Sequence, residues 1–152
     1  MGLEALRLVL AAYRSTDEGR QRFLDYVSVL ESVVADAMAA TRSLSPGDRV
    51  GVQLKNCPEW VMFDQAILSL GLVSVPLYTD DRPDNIAYIL NDAAVKVLLV
   101  QDASQWKRLA PALVGQEQLQ RVLILASPKT SPTDLLQDER VSFVEDWLPD
   151  SP

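Results

Sequence analysis

One cysteine and no histidine limit the chemistry open to the side chains of this 152-residue chain. Cys57 precedes Pro58-Glu59-Trp60 at the start of an apolar, helix-like stretch, where a helix dipole could depress a thiol pKa. A thiol nucleophile also needs a base, and with no His available Cys57 reads as a packed small side chain. Asp80-Asp81-Arg82-Pro83-Asp84 carries the Asp-Asp-x-x-Asp spacing of some magnesium-diphosphate sites. Those carboxylates share a face only on a continuous helix, whereas Pro83 belongs at a helix start, so the run reads as a turn and cap. Ser127-Pro128-Lys129-Thr130 has a lysine and hydroxyls, but after Gly71 the chain holds only Gly115. Backbone amides crowd round a phosphate where glycine permits it, so this stretch reads as a loop. Structural zinc and the common catalytic triads need residues that are missing. No position is assigned as catalytic, cofactor-binding or metal-binding.

The elements that would position any site start with Ser45-Pro46-Gly47-Asp48-Arg49-Val50-Gly51-Val52-Gln53-Leu54-Lys55-Asn56-Cys57-Pro58-Glu59-Trp60. Pro46 and Gly47 suit the two central positions of a type II turn. Val50, Val52 and Leu54 then alternate with Arg49, Gly51 and Gln53, which is the period of a strand. Asn56 is expected to cap the next helix, with Pro58 in its first turn and Glu59 at capping-box spacing. After a helix of about four turns Gly71 closes it, and Val73-Ser74-Val75-Pro76-Leu77-Tyr78 returns as a second strand. A helical connection this short implies parallel strands and a right-handed crossover.

Upstream, Leu3, Leu6, Val9, Leu10 and Tyr13 predict an amphipathic helix over residues 3–14. From Asp25, the likeliest cap by type, the positions Val27, Leu30, Val33, Val34, Ala37, Met38 and Thr41 predict a longer helix that packs across the sheet. The helix after Pro58 is apolar nearly all round, as in an element covered on both sides, which makes Trp60 and Phe63 core residues. Downstream, Pro83 opens a helix with Ile86, Ile89, Leu90 and Ala93 on one side. Residues 95–100 form a strand, Trp106, Leu109, Ala110 and Leu113 a helix face, residues 122–125 a strand, and 141–144 a short last strand.

The formal charge of -7 and the scattered Lys and Arg argue against nucleic acid as a partner. A single Cys forms no internal disulfide, and Glu4 and Arg7 interrupt the N-terminal apolar run, which points to a cytoplasmic chain. No stretch approaches the roughly 20 apolar residues of a membrane span.

Gly47-Asp48-Arg49-Val50, Asn56-x-Pro58-Glu59-Trp60, Asp64, Gly71, Val75-Pro76-Leu77-Tyr78 and Ile86-Ala87-Tyr88-Ile89-Leu90-Asn91-Asp92 together resemble, in order and spacing, the N-terminal region of the AMP-forming acyl-CoA synthetases. The Pro-Glu-Trp and Val-Pro-Leu-Tyr wording is most similar to the long-chain fatty acid ligases of that adenylate-forming superfamily. The resemblance implies an α/β fold, a mostly parallel sheet with helices on both faces, as in the N-terminal subdomain of those enzymes. It divides the chain into an N-terminal helix and connector (1–22), the ligase-like subdomain (23–126), and a loop with a short strand (127–152) ending before the phosphate-loop region. It further implies a parent that joins a carboxylate to ATP and passes the acyl group to CoA, with magnesium, at a membrane-associated site if the acyl chain is long. The family's Gly-rich Thr/Ser-Pro-Lys loop, adenine motif and C-terminal Lys have no counterpart in this sequence.

Two functions follow as expectations. The first is an N-terminal piece of a long-chain fatty acid CoA ligase, inactive alone, whose partner is the remainder of that ligase. The alternative is a free-standing α/β interaction module descended from one. In either case apolar surface should be left bare on Trp60, Phe63 and Ile67 or on Leu6, Leu10 and Tyr13, which predicts a homo-oligomer.

Overall fold

The computed structural model describes residues 44–126 and 138–147, together with residues 16–18, 20, 21, 24, 25, 28 and 32. The helix expected over 3–14, the loop at Ser127-Pro128-Lys129-Thr130 and the apolar positions expected between Val27 and Thr41 lie outside the described residues.

The turn at Pro46-Gly47 forms as its residues dictate. Gly47 has φ +89°, and the Asp48 amide donates to the Ser45 carbonyl at 2.9 Å. The Asp48 carboxylate ties this turn to the sheet, accepting from the Ser45 amide at 2.8 Å and from Lys96 Nζ at 2.7 Å. From there the chain runs through β1 (Arg49–Gln53), α1 (Pro58–Ser69), β2 (Val73–Pro76), α2 (Pro83–Asp92) and β3 (Val95–Val100). It continues through α3 (Ala103–Leu109), a 3-10 turn (Ala110–Leu113), β4 (Arg121–Ile124), β5 (Val141–Phe143) and α4 (Val144–Trp147).

The five strands among the described residues are all parallel, in the order β2-β1-β3-β4-β5. Their alternation builds two cores, one on each face. Val50, Val52, Val97, Leu99 and Leu123 pack under Phe63, Ala66 and Ile67 of α1 and Val144 of α4. Leu98, Val100, Val122 and Ile124 pack under Ile86, Leu90, Trp106 and Leu109 of α2 and α3. The expected α/β class, parallel sheet and two-sided helical cover are what the chain forms. Gly51 explains one close approach, since a Cβ there would meet the Leu98, Leu90 and Leu77 side chains at 3.1, 3.2 and 3.3 Å. Pairing of β1 with β3 slips by one residue after Arg49, skipping Lys96, whose side chain reaches Asp48.

Four local expectations give way. Cys57, not Asn56, is the cap residue of α1, and no side chain caps that end; Pro58 sets the first helical position one residue too late for Asn56, and Glu59 is buried instead of closing a capping box. Asp25 is itself helical, as is Leu24 before it, so Asp25 is not the cap residue expected there. The run from Trp106 to Leu113 tightens into a 3-10 turn at Ala110 because Pro111 lacks an N–H for the helical ladder. Phe63 and Ile67 are fully buried and leave no bare face, while Val61 and Leu68 on the outer side of α1 are about half exposed.

Candidate functional site

The helix α1, which follows β1, packs on one face of the sheet, and α3, which follows β3, on the other. The loops leaving β1 and β3 therefore diverge, and a crevice opens outside the carboxyl ends of the strands, the position where parallel sheets hold ligands. Two cavities lie there. The larger, about 670 Å³, is walled by Leu54, Trp60, Leu77 and Tyr78, with Lys55 and Asn56 at its polar end. The smaller, about 270 Å³, is walled by Lys55, Thr79, Gln101, Ser104, Gln105 and Arg108. Asp80 borders both.

A hydrogen-bond network shapes the smaller cavity. The Lys55 amide donates to Gln101 Oε1 at 3.1 Å, and the Gln101 amide to Gln105 Oε1 at 2.6 Å. Asp102 caps α3, accepting from the Gln105 amide at 2.8 Å, as its residue type favours. Arg108 donates to the carbonyls of Thr79 at 2.7 Å and Asp81 at 3.1 Å. Gln53 is fully buried at the end of β1; its Nε2 donates to the Tyr78 carbonyl at 2.9 Å, while its Oε1 has no partner. The Lys55 ammonium, the Arg108 guanidinium, amides and hydroxyls stand beside the carboxylates of Asp80 and Asp102, a mixed polar rim that can orient a polar group.

Cys57 is not poised as a nucleophile. Cys57 is half-buried at the cap of α1; burial pushes its thiol pKa up and the adjacent Glu59 carboxylate adds to the rise, opposing any effect of the dipole. The Asp-Asp-x-x-Asp run is a loop and helix start, as expected: Asp81 Oδ1 accepts from the Arg82 amide at 2.8 Å and Asn85 Nδ2 at 2.9 Å, and Asp84 faces Arg82 at 3.5 Å. Among the described residues no group of three His, Cys, Asp or Glu side chains could hold a metal ion. Phe63 is core, whereas Trp60 is half-buried on the larger cavity. Gln53, Gln101, Gln105 and Arg108 carry the crevice yet escape a reading by periodicity. Gln53 looks like the solvent-side member of an alternating strand, and the others fall in or beside an ordinary amphipathic helix.

Comparison with known proteins bears on the same fold. The family model described as "AMP-binding enzyme" matches residues 12–151. A probable CoA ligase, CCL6 of Humulus lupulus, is 32% identical over 90 residues, which cover 59% of this chain and 14% of that protein. Long chain acyl-CoA synthetase 2 of Arabidopsis thaliana is 36% identical over 62 residues, 41% of this chain and 9% of that protein. The solved structure of the anthranilate CoA ligase AuaEII in complex with anthranoyl-AMP superposes with a TM-score of 0.59 at 26% identity, covering 65% of this chain and 19% of that one. The chain thus spans less than a fifth of the length of each of these proteins. A parallel sheet ordered β2-β1-β3-β4-β5, the motifs along it and a family match over nearly the whole sequence agree, and the chain belongs to the AMP-binding enzyme family.

Proposed function

We propose that this chain serves as the N-terminal parallel-sheet portion of a long-chain fatty acid CoA ligase. The whole enzyme would adenylate a fatty acid with ATP and magnesium and then form the CoA thioester. The residues here scaffold that reaction without catalysing it. The observation that carries the proposal is the family match over 12–151 on a chain that spans less than a fifth of the length of its relatives. Long-chain specificity is supported by relatives such as long chain acyl-CoA synthetase 2. ATP and magnesium belong in this reading to the remainder of the enzyme, since Asp81 and Asp84 are engaged locally and the sequence after β4 carries no glycine.

The test is ATP–pyrophosphate exchange with palmitate. Exchange stays at background with this chain alone and appears when the chain is mixed with a long-chain ligase lacking its own N-terminal segment. Exchange by the chain alone would overturn the proposal. A cytoplasmic location belongs to the same reading, and no helix among the described residues is long and apolar enough to cross a membrane. So does self-association of the isolated chain, now through Val61 and Leu68 on α1. Light scattering over a hundredfold concentration range should show a rising mass, and a constant monomer mass would remove that element.

A further inference from the structure

The loop between β2 and α2 is held by its main chain from two directions. Gln53 reaches the Tyr78 carbonyl from inside the sheet, and Arg108 of α3 reaches the Thr79 and Asp81 carbonyls from outside. Both holds are made to carbonyls, with no carboxylate in either. Asp81 stiffens the loop from within through the Arg82 amide and Asn85. In this position Thr79 and Asp80 stand in the wall of both cavities, and Lys55 borders both.

We propose that residues 78–82 form a movable partition between the two cavities and that Arg108 is its latch. When Arg108 lets go, the cavities join into one groove along the carboxyl ends of β2, β1 and β3. Arg108 is suited to release because it is exposed, so water replaces its two bonds at small cost. Gln53 is suited to stay, since letting go would leave both polar atoms of its buried side chain unpartnered. The planar guanidinium spans two carbonyls that are two residues apart, which the compact ammonium of lysine cannot do with the same geometry. Arg108 is therefore a positioning residue, acting on the cavities through the loop.

Amide hydrogen exchange on the intact chain tests this with Arg108→Ala and Arg108→Lys. In Arg108→Ala the hydrogen-bonded amides of Asp81 and Arg82 should exchange about tenfold faster or more, those of β1 and β3 should not change, and Arg108→Lys should fall between. A direct reading of the partition comes from spin labels at Asp80→Cys and Ser104→Cys in a Cys57→Ser background. The label-to-label distance should lengthen and broaden in Arg108→Ala and stay narrow with Arg108 present. Unchanged loop exchange and distance would overturn the latch. Equal acceleration across loop and sheet would overturn it as well, since Arg108 would then support only global stability.

Discussion

Ala94 offers the sharpest test of the backbone reasoning. It follows α2 with φ +48°, a left-handed conformation in which its amide donates to the Asn91 carbonyl at 3.1 Å. An L-residue with a Cβ in that conformation costs about 1–2 kcal/mol, which glycine does not incur. Ala94 is exposed, so loss of its methyl removes little buried surface. Against the gain stands the larger entropy of glycine in the unfolded chain, about 0.4–1 kcal/mol. Ala94→Gly should therefore stabilise the protein by about 0.5–1 kcal/mol. With a urea slope of about 2 kcal/mol/M, the unfolding midpoint should rise by about 0.3–0.5 M at unchanged slope. Gly71→Ala is the mirror experiment: its φ is +70° and the nearest atom to an added Cβ, Pro46 Cβ, is 3.5 Å away, an ordinary contact. Its cost is conformational, about 1 kcal/mol, so its midpoint should fall. A midpoint that stays or falls in Ala94→Gly would refute the argument that the left-handed residue closing α2 is strained.

Gly51→Val should destabilise by about 1–3 kcal/mol in the same assay, because its side chain meets three leucine side chains already within 3.3 Å of a Cβ. Phe63→Ala should cost about 3–5 kcal/mol, and the near-ultraviolet circular dichroism of Trp147, stacked on Phe63 at 6.4 Å between centroids, should weaken with it. The Lys96 ammonium holds the Asp48 carboxyl below its ordinary 3.8, and the Arg140 guanidinium does the same for Asp138. Depressed carboxylate values mean that this stabilisation is complete above the unfolded value and is lost as pH falls through the folded values. Stability should thus decline below about pH 4, and Lys96→Met should flatten that decline in urea unfolding between about pH 4 and 2. An acid limb unchanged in Lys96→Met would show that the pair does not contribute.

Local chemistry determined the elements. Pro46-Gly47 could only turn in one way, β-branched alternation could only be extended, and Pro83 could only open a helix, so β1, β2, α2 and the parallel α/β class were legible from residue type and spacing. What tertiary structure alone decided is burial and convergence. Gln53 follows the polar phase of its strand, yet cover on both faces of the sheet buries it completely. Phe63 and Ile67 share a helix with Val61 and Leu68, and no periodicity in an all-round apolar stretch says which pair meets the sheet. The crevice gathers residues from after β1, β2 and β3, with Arg108 lying 29 positions from the Thr79 carbonyl it holds. Such contacts arise when parallel crossovers bring the ends of separate strands to one edge, a consequence of topology that neighbours along the chain do not encode.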